Sequence, residues 1–226
     1  MHQPIVNLVD YTIADHLLFG IGCFLWVIVY IIVLKNIKKY QFIEIPLIAI
    51  TVNFAWETLW SWVFTTNMGS LYVWGYRSWF ILDCFIVYNT FKYGWKQLQT
   101  GFSKQYLPVI FIGAYLGWIV LLYFFSVKFD IPQSGMGGYG GYWCNLIMSA
   151  IYIPFLLRTN DLRYFSFWNA VLKGLGTFLV TLFCINHLQW KGEYFLYSLG
   201  IATALLDIIY IYLIYTLKKK ANVALG

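Results

Sequence analysis

Asn53-Phe-Ala-Trp-Glu57-Thr-Leu-Trp60 places an acid in the middle of an apolar run, Ile43 to Thr65, that is too long to be anything but a membrane span. A second lone acid, Asp207, lies inside the last such run, Tyr194 to Leu217. A carboxylate in hydrocarbon is costly, and no transmembrane cation is evident in the sequence to neutralise either one. The two acids are therefore expected to act as proton donors, proton acceptors or ligands.

The rest of the chain agrees with a membrane class. Of its 226 residues 61% are hydrophobic, 22% aromatic and only 11% charged, and the mean hydropathy is +0.69. A soluble chain of this size could not hide so much apolar surface. Spans are expected at Leu17 to Leu34, Ile43 to Thr65, Trp79 to Gly94, Leu107 to Val127, Tyr142 to Leu157, Asn169 to Asn186 and Tyr194 to Leu217, each close to the length that crosses a hydrocarbon core about 30 Å thick. The expected fold is an all-α, polytopic bundle of seven transmembrane helices forming one domain over residues 1–226. Twelve of the fifteen Lys and Arg residues fall after helices one, three and five, at the start of helix six or in the C-terminal tail; Arg77, Lys128 and Lys191 fall on the other side. By the positive-inside rule the N-terminus is then outside and the C-terminus cytoplasmic. The net charge of +6 is accounted for by topology, and no nucleic-acid partner is inferred from it. The segment Met1 to Asp15 has no basic residue, so helix one is expected to be a retained span and not a cleaved signal.

Polar stripes run along four helices. Asn53, Glu57 and Ser61 share a face of helix two, with Trp60 and Phe64 beside them; Asn145, Ser149 and Tyr152 recur on helix five, Lys173, Thr177 and Thr181 on helix six, and Thr203, Asp207 and Tyr210 on helix seven. Such stripes are expected to face the bundle interior, because lipid offers them no partners. At about 1.5 Å per residue, Glu57 and Asp207 lie roughly 13 and 20 Å from the outer ends of their helices and Asp83 about 8 Å. Glu57 and Asp207 can then flank one cavity, with Asp83 near its outer mouth, where pairing with Arg77 is its simplest structural role. Interhelical hydrogen bonding is the corresponding role for the other two acids. Trp56, Trp60 and Trp62 fall on several faces of helix two, so at least one points inward near Glu57. A protonated carboxyl in an aromatic-lined cavity suits proton delivery to an alkene or epoxide, with ring faces stabilising the carbocations that follow.

The remaining motifs point to structure. Cys23, Cys84, Cys144 and Cys184 have no metal-ligand spacing and are expected to be packing residues; His2, His16 and His187 are isolated. Gly135-Met-Gly137-Gly138-Tyr-Gly140-Gly141 lacks the flanking strand and Lys-Ser/Thr of a phosphate loop, and reads as a flexible external lid. Gly113 and Gly117, like Gly174 and Gly176, are spaced for close helix approach.

Asn53-x-x-Trp56-Glu57 on helix two, Trp79-x-x-x-Asp83 on helix three and Asp207 on helix seven, in a seven-helix layout covering the whole chain, resemble the small integral-membrane terpene cyclases of fungal meroterpenoid and indole-diterpene pathways and their bacterial relatives. The resemblance implies that Glu57 and Asp207 are the catalytic acids of protonation. It also implies a lipophilic prenylated aromatic or quinol-like substrate, often with a terminal epoxide, and no metal or other cofactor. Asn53, Trp56, Trp60, Asp83, Asn145, Tyr152 and Tyr210 are the expected substrate-binding residues. No Asp-Asp-x-x-Asp or Asp-x-Asp-Asp motif is present, and Asn160-Asp161 has no second acid nearby, which argues against Mg²⁺-assisted diphosphate ionisation. The host membrane would be the plasma membrane of a bacterium or an ER-type membrane of a eukaryote. The alternative is a proton-coupled transporter using Glu57 and Asp207. Against it, seven helices do not divide into inverted repeats, and no Pro or Gly interruption is paired between halves; helix seven has no lysine for a retinal Schiff base.

Overall fold

The computed structural model describes residues 3–98, 103–159 and 161–225; His2 and Asn160 lie outside them. No strand occurs among the described residues, and the chain is built on long helices: α1 (Ile13–Tyr40), α2 (Leu47–Thr58), α3 (Ser70–Tyr93), α4 (Ser103–Phe125), α5 (Gly138–Arg158), α6 (Phe167–Asn186) and α7 (Tyr194–Lys220). Among the described residues, five helical stretches are long and apolar enough to cross a membrane: Ile13–Tyr40, Lys104–Gln133, Gly138–Arg158, Phe167–Asn186 and Tyr194–Lys220. The second and third helices fall outside that group for identifiable reasons. The regular part of α2 is 12 residues long before it passes into a π-helical turn, Leu59–Val63, and α3 carries Arg77, Asp83 and Lys92.

Local chemistry sets the helix ends. Thr12 caps α1 through a reciprocal box with Asp15: the Thr12 hydroxyl accepts from the Asp15 N–H at 3.2 Å, and the Asp15 carboxylate accepts from the Thr12 N–H at 2.9 Å. Lys38 and Lys39 sit at its other end, where the helix dipole favours cations. Pro46 precedes the first turn of α2, and Ser166 accepts from the Asn169 N–H to start α6. The end of α4 runs through a second π-helical turn, Ser126–Asp130, and one further helical turn, Ile131–Gln133. This places the Asp130 carboxylate under the start of α5, where it accepts from the N–H groups of Tyr139 and Gly140 at 2.8 and 3.1 Å.

Contacts join α1 to α6, α6 to α7, α7 to α5, α5 to α2, α2 to α3 and α3 back to α1, closing a ring, while α4 packs on the flank of α2. The outward face of α4 is apolar, with Val109, Leu116, Val120 and Phe124 all exposed, as a lipid-facing helix requires. At the crossing between α1 and α6, a Cβ added to Gly22 would lie 2.8 Å from the Gly176 carbonyl oxygen. Gly174 likewise lies against Ile211 and Asp207. Gly113 and Gly117 do not serve as expected: nothing among the described residues lies within 4 Å of a Cβ at either position, because this part of α4 does not face another helix closely.

The glycine cluster is also not a lid. Met136, Gly138 and Gly140 are buried, and Gly137, at φ +81°, forms the cap of α5. A Cβ at Gly137 would meet the Trp60 ring at 2.6 Å and one at Gly140 the Asp130 carboxylate at 2.7 Å. The glycines let the α5 N-terminus approach two tryptophans and a buried acid. Of the cysteines, Cys144 and Cys184 are buried, whereas Cys84 is exposed on the outward face of α3 and packs against no core.

Candidate active site

The polar centre forms where α1, α2 and α3 meet. Asn53 and Glu57, one turn apart on α2, share a face, and the Asn53 amide nitrogen lies 3.0 Å from Glu57 Oε1, 2.9 Å from Asp83 Oδ2 and 2.8 Å from the Tyr30 hydroxyl. Three acceptors thus share the two hydrogens of one amide. The Tyr30 hydroxyl itself donates to Glu57 Oε1. Glu57 and Asp83 are both 2% exposed and within hydrogen-bonding reach of each other, and Glu57 Oε2 has no donor partner among the described residues. Asp83 is therefore neither near the outer mouth nor paired with Arg77. Its helix starts at Ser70, nine residues before the start read from hydropathy, so Asp83 is near mid-helix. Arg77 instead donates to the Ser61 carbonyl at 3.3 Å and lies over the Trp62 and Trp74 rings.

Glu57 and Asn53 lie on the wall of a cavity of about 110 Å³, otherwise lined mainly by apolar and aromatic side chains that include Phe19, Trp26, Trp56, Tyr76 and Trp79. Asn145 reaches the same wall; its amide donates to Thr177 at 2.8 Å, and its Oδ1 has no protein partner among the described residues. Trp60 does not line this cavity. It is 1% exposed, packed on Gly137, with its indole N–H directed at Ser126 Oγ at 3.4 Å. Ser61 also leaves the face of Asn53 and Glu57, because the π-helical turn from Leu59 changes the residues-per-turn count.

A smaller cavity of about 30 Å³ lies next to the first and shares Trp26, Tyr30, Asn53 and Met148 with it. Its wall includes Asp83, Lys173, Glu44, Tyr152 and Tyr210. Tyr152 and Tyr210, with ring centroids 5.0 Å apart, thus belong to this second chamber and not to the one beside Glu57.

Asp207 is not the unneutralised acid that the sequence suggested. Lys173 Nζ lies 2.6 Å from Asp207 Oδ1 and 2.6 Å from Ser149 Oγ, and both charged side chains are 5% exposed. The polar stripe on α6 is used throughout: Lys173 joins Asp207, Thr177 accepts from Asn145, and Thr181 pairs with the Tyr142 hydroxyl at 2.8 Å. Asp207 lines neither cavity, so Glu57 and Asp207 do not flank a single chamber; Lys173, on the wall of the smaller one, stands between.

Four residues that the sequence reading did not single out for the site contribute to it or to its frame: Tyr30, Lys173, Glu44 and Asp130. Tyr30 looked like one more aromatic in helix one, and Lys173 counted as a topology charge and a member of the polar stripe of helix six, but not as the partner of Asp207. Glu44, in the loop between α1 and α2, accepts from the Ser166 N–H at 3.0 Å and from the Asn169 amide at 2.6 Å. Burial pushes its carboxyl up to about 7, against the pull of those donors. The two described histidines stay apart from the site: His187 faces Asp15 at 3.2 Å, and His16 bonds to the Tyr72 hydroxyl and the Asn7 carbonyl.

Comparison with known proteins bears on what this geometry is for. The family described as Pyr4-like transmembrane terpene cyclases matches residues 2–220. A Pyr4-family terpene cyclase, mfmH, of Annulohypoxylon moriforme is 24% identical over 203 residues, which cover 86% of this chain and 83% of that protein. No solved structure matches the chain. With five helices apolar enough to cross a bilayer, a family match that runs nearly end to end, and a buried carboxyl on the wall of an aromatic cavity, the chain belongs to the Pyr4-like transmembrane terpene cyclases, a family of integral membrane proteins.

Proposed function

We propose that this protein cyclises a lipophilic prenylated substrate of the meroterpenoid type, without a metal, by protonating a terminal epoxide or alkene from Glu57. The observation that carries this reading is a pair of buried carboxyls, Glu57 and Asp83, within hydrogen-bonding reach of each other, with Glu57 on the wall of the aromatic cavity. Oε1 of Glu57 is also held by Tyr30 and Asn53. With Asp83 converging on the same amide, two buried carboxyls so close would not both carry charge. Glu57 is the one assigned the proton. An alkene or epoxide is barely basic, so the donor must be held dry and oriented; Asn53 and Tyr30 do the orienting, and Trp56, Trp79 and Tyr76 supply ring faces to transient cations.

Asp207 is the second acid of the reading. Paired with Lys173, it acts as the ionised counterpart to Glu57, placing the ammonium beside the Trp26 ring at 5.7 Å. Asn145 gives the larger cavity a polar spot on which an oxygenated head group can settle, while Tyr152 and Tyr210 line the smaller cavity behind it. The topology proposed for this bundle is seven spans with the N-terminus outside and the C-terminus cytoplasmic, as the charge distribution favours.

Membranes containing the protein, given farnesyl and geranylgeranyl aromatics with and without a terminal epoxide, are expected to yield isomers of unchanged mass and altered retention. Glu57→Gln is expected to lower the rate at least about a hundredfold, the scale of general acid catalysis. Full turnover by that variant would remove Glu57 from the donor role.

A further inference from the structure

We propose that Glu44 recharges the donor between turnovers, through water in the smaller cavity and the hydroxyl of Tyr30. The inference rests on the reading of Glu57 as the proton donor. A proton given to a terminal epoxide stays on the product as a hydroxyl hydrogen, while the proton lost at termination leaves carbon at the far end of the new rings. Glu57 would thus end each cycle as a carboxylate with the lost proton elsewhere, and it needs a supply.

The arrangement of the smaller cavity meets that need. Glu44 is 3% exposed and sits in the loop beyond the ends of α1 and α2, so it is the acid of the site nearest that end of the bundle. It lines the same cavity as Tyr30, Asn53 and Asp83. About 30 Å³ is room for one or two waters, and the polar wall supplies the partners that water requires. Tyr30 lines both cavities, and its hydroxyl donates to the Glu57 oxygen opposite the one without a donor. A hydroxyl in that position can accept from one chamber and donate toward the other. Lys173 also stands on this wall, neutralised by Asp207; Lys218, buried and close enough to Glu44 to act on it electrostatically, is the charge that favours release of the Glu44 proton.

The transfer balances. Glu44 releases its proton to cavity water, the water passes one to the Tyr30 oxygen as the Tyr30 hydroxyl proton moves to Glu57 Oε1, and Glu44 regains a proton from the aqueous side. Rotation of the Glu57 carboxyl then presents the proton from the substrate side. Burial raises the Glu44 carboxyl to about 7, where it can both hold and release a proton near neutral pH.

The test needs no substrate. Infrared spectroscopy of the full chain in lipid follows the carbonyl band of protonated Glu57, identified as the band lost in Glu57→Gln, after transfer from H₂O to D₂O. Glu44→Gln and Tyr30→Phe are each expected to slow its exchange about a hundredfold, on the scale of a positioned proton-transfer group. A purely structural role for Glu44 predicts the opposite sign, since a loosened fold admits water and speeds exchange. Unchanged or faster exchange in both variants overturns the route, and slowing in Tyr30→Phe alone overturns Glu44 as its entry. If Glu44→Gln does not fold, Glu44→Met takes its place with the same two outcomes. A wild-type spectrum without such a band overturns the donor assignment itself, a result distinct from a band whose exchange ignores Glu44.

Discussion

At the residue scale, the two acids visible in the apolar runs have been given opposite environments. Glu57 meets only neutral donors and another carboxyl, through Tyr30 and Asn53. Asp207 meets an ammonium at 2.6 Å. A buried ion pair adds little net stability, but removing one partner strands the other charge at a cost of about 3–5 kcal/mol. Asp207→Asn and Lys173→Met are each expected to lower the melting temperature of the purified protein in detergent. The double variant, with no stranded charge, should be more stable than either single one. Additive losses in the double variant would show that the two side chains are not coupled. This cycle also separates the acids chemically: Glu57→Gln leaves no charge unpaired, so its loss of activity should come with little loss of stability.

At the scale of helices, close approach is obtained by omitting side chains at a few crossings. Gly22 on α1 faces the backbone of Gly176 on α6, and Phe19 and Trp26, on α1 to either side of it, both reach the aromatic cavity. Widening that crossing would displace part of the cavity wall. Gly22→Leu is expected to destabilise the bundle by about 1–3 kcal/mol, the usual cost of overpacking, seen as a lower melting temperature; an unchanged melting temperature would mean that α1 and α6 are looser than described. The π-helical turns do related work. One shifts the register of α2 just past Glu57, and the other carries Asp130 under the first turn of α5.

At the scale of the whole molecule, the second and third helices decide the span count, because they are the two least suited to lipid on all sides. Their polar residues Asn53, Glu57 and Asp83 face one another, so the interior of the ring offers what hydrocarbon cannot. In a variant free of native cysteines, single cysteines at Val9 and Thr65 are expected to react with an impermeant maleimide from one side of the membrane, and one at Lys96 from the other. All three positions are exposed. Labelling of Thr65 and Lys96 from the same side would make α2 and α3 a re-entrant pair and reduce the count to five.

The helical membrane class, five of the apolar runs and the burial of Glu57 were legible in the sequence alone. Lipid demands long uninterrupted apolar stretches, a property of one dimension, and an acid inside such a stretch stands out wherever the chain goes next. The companions of those acids were not legible, because they come from other helices. Tyr30 and Asp83 reach Asn53 across 23 and 30 residues of chain, and Lys173 reaches Asp207 across 34. Hydropathy records that each is present but not which face it occupies or what it meets. Only the closing of the ring turned one tyrosine among many into the partner of Glu57 and a topology lysine into the counter-ion of Asp207, since hydrogen bonds and ion pairs depend on distances of about 3 Å that are set by packing and not by spacing along the chain.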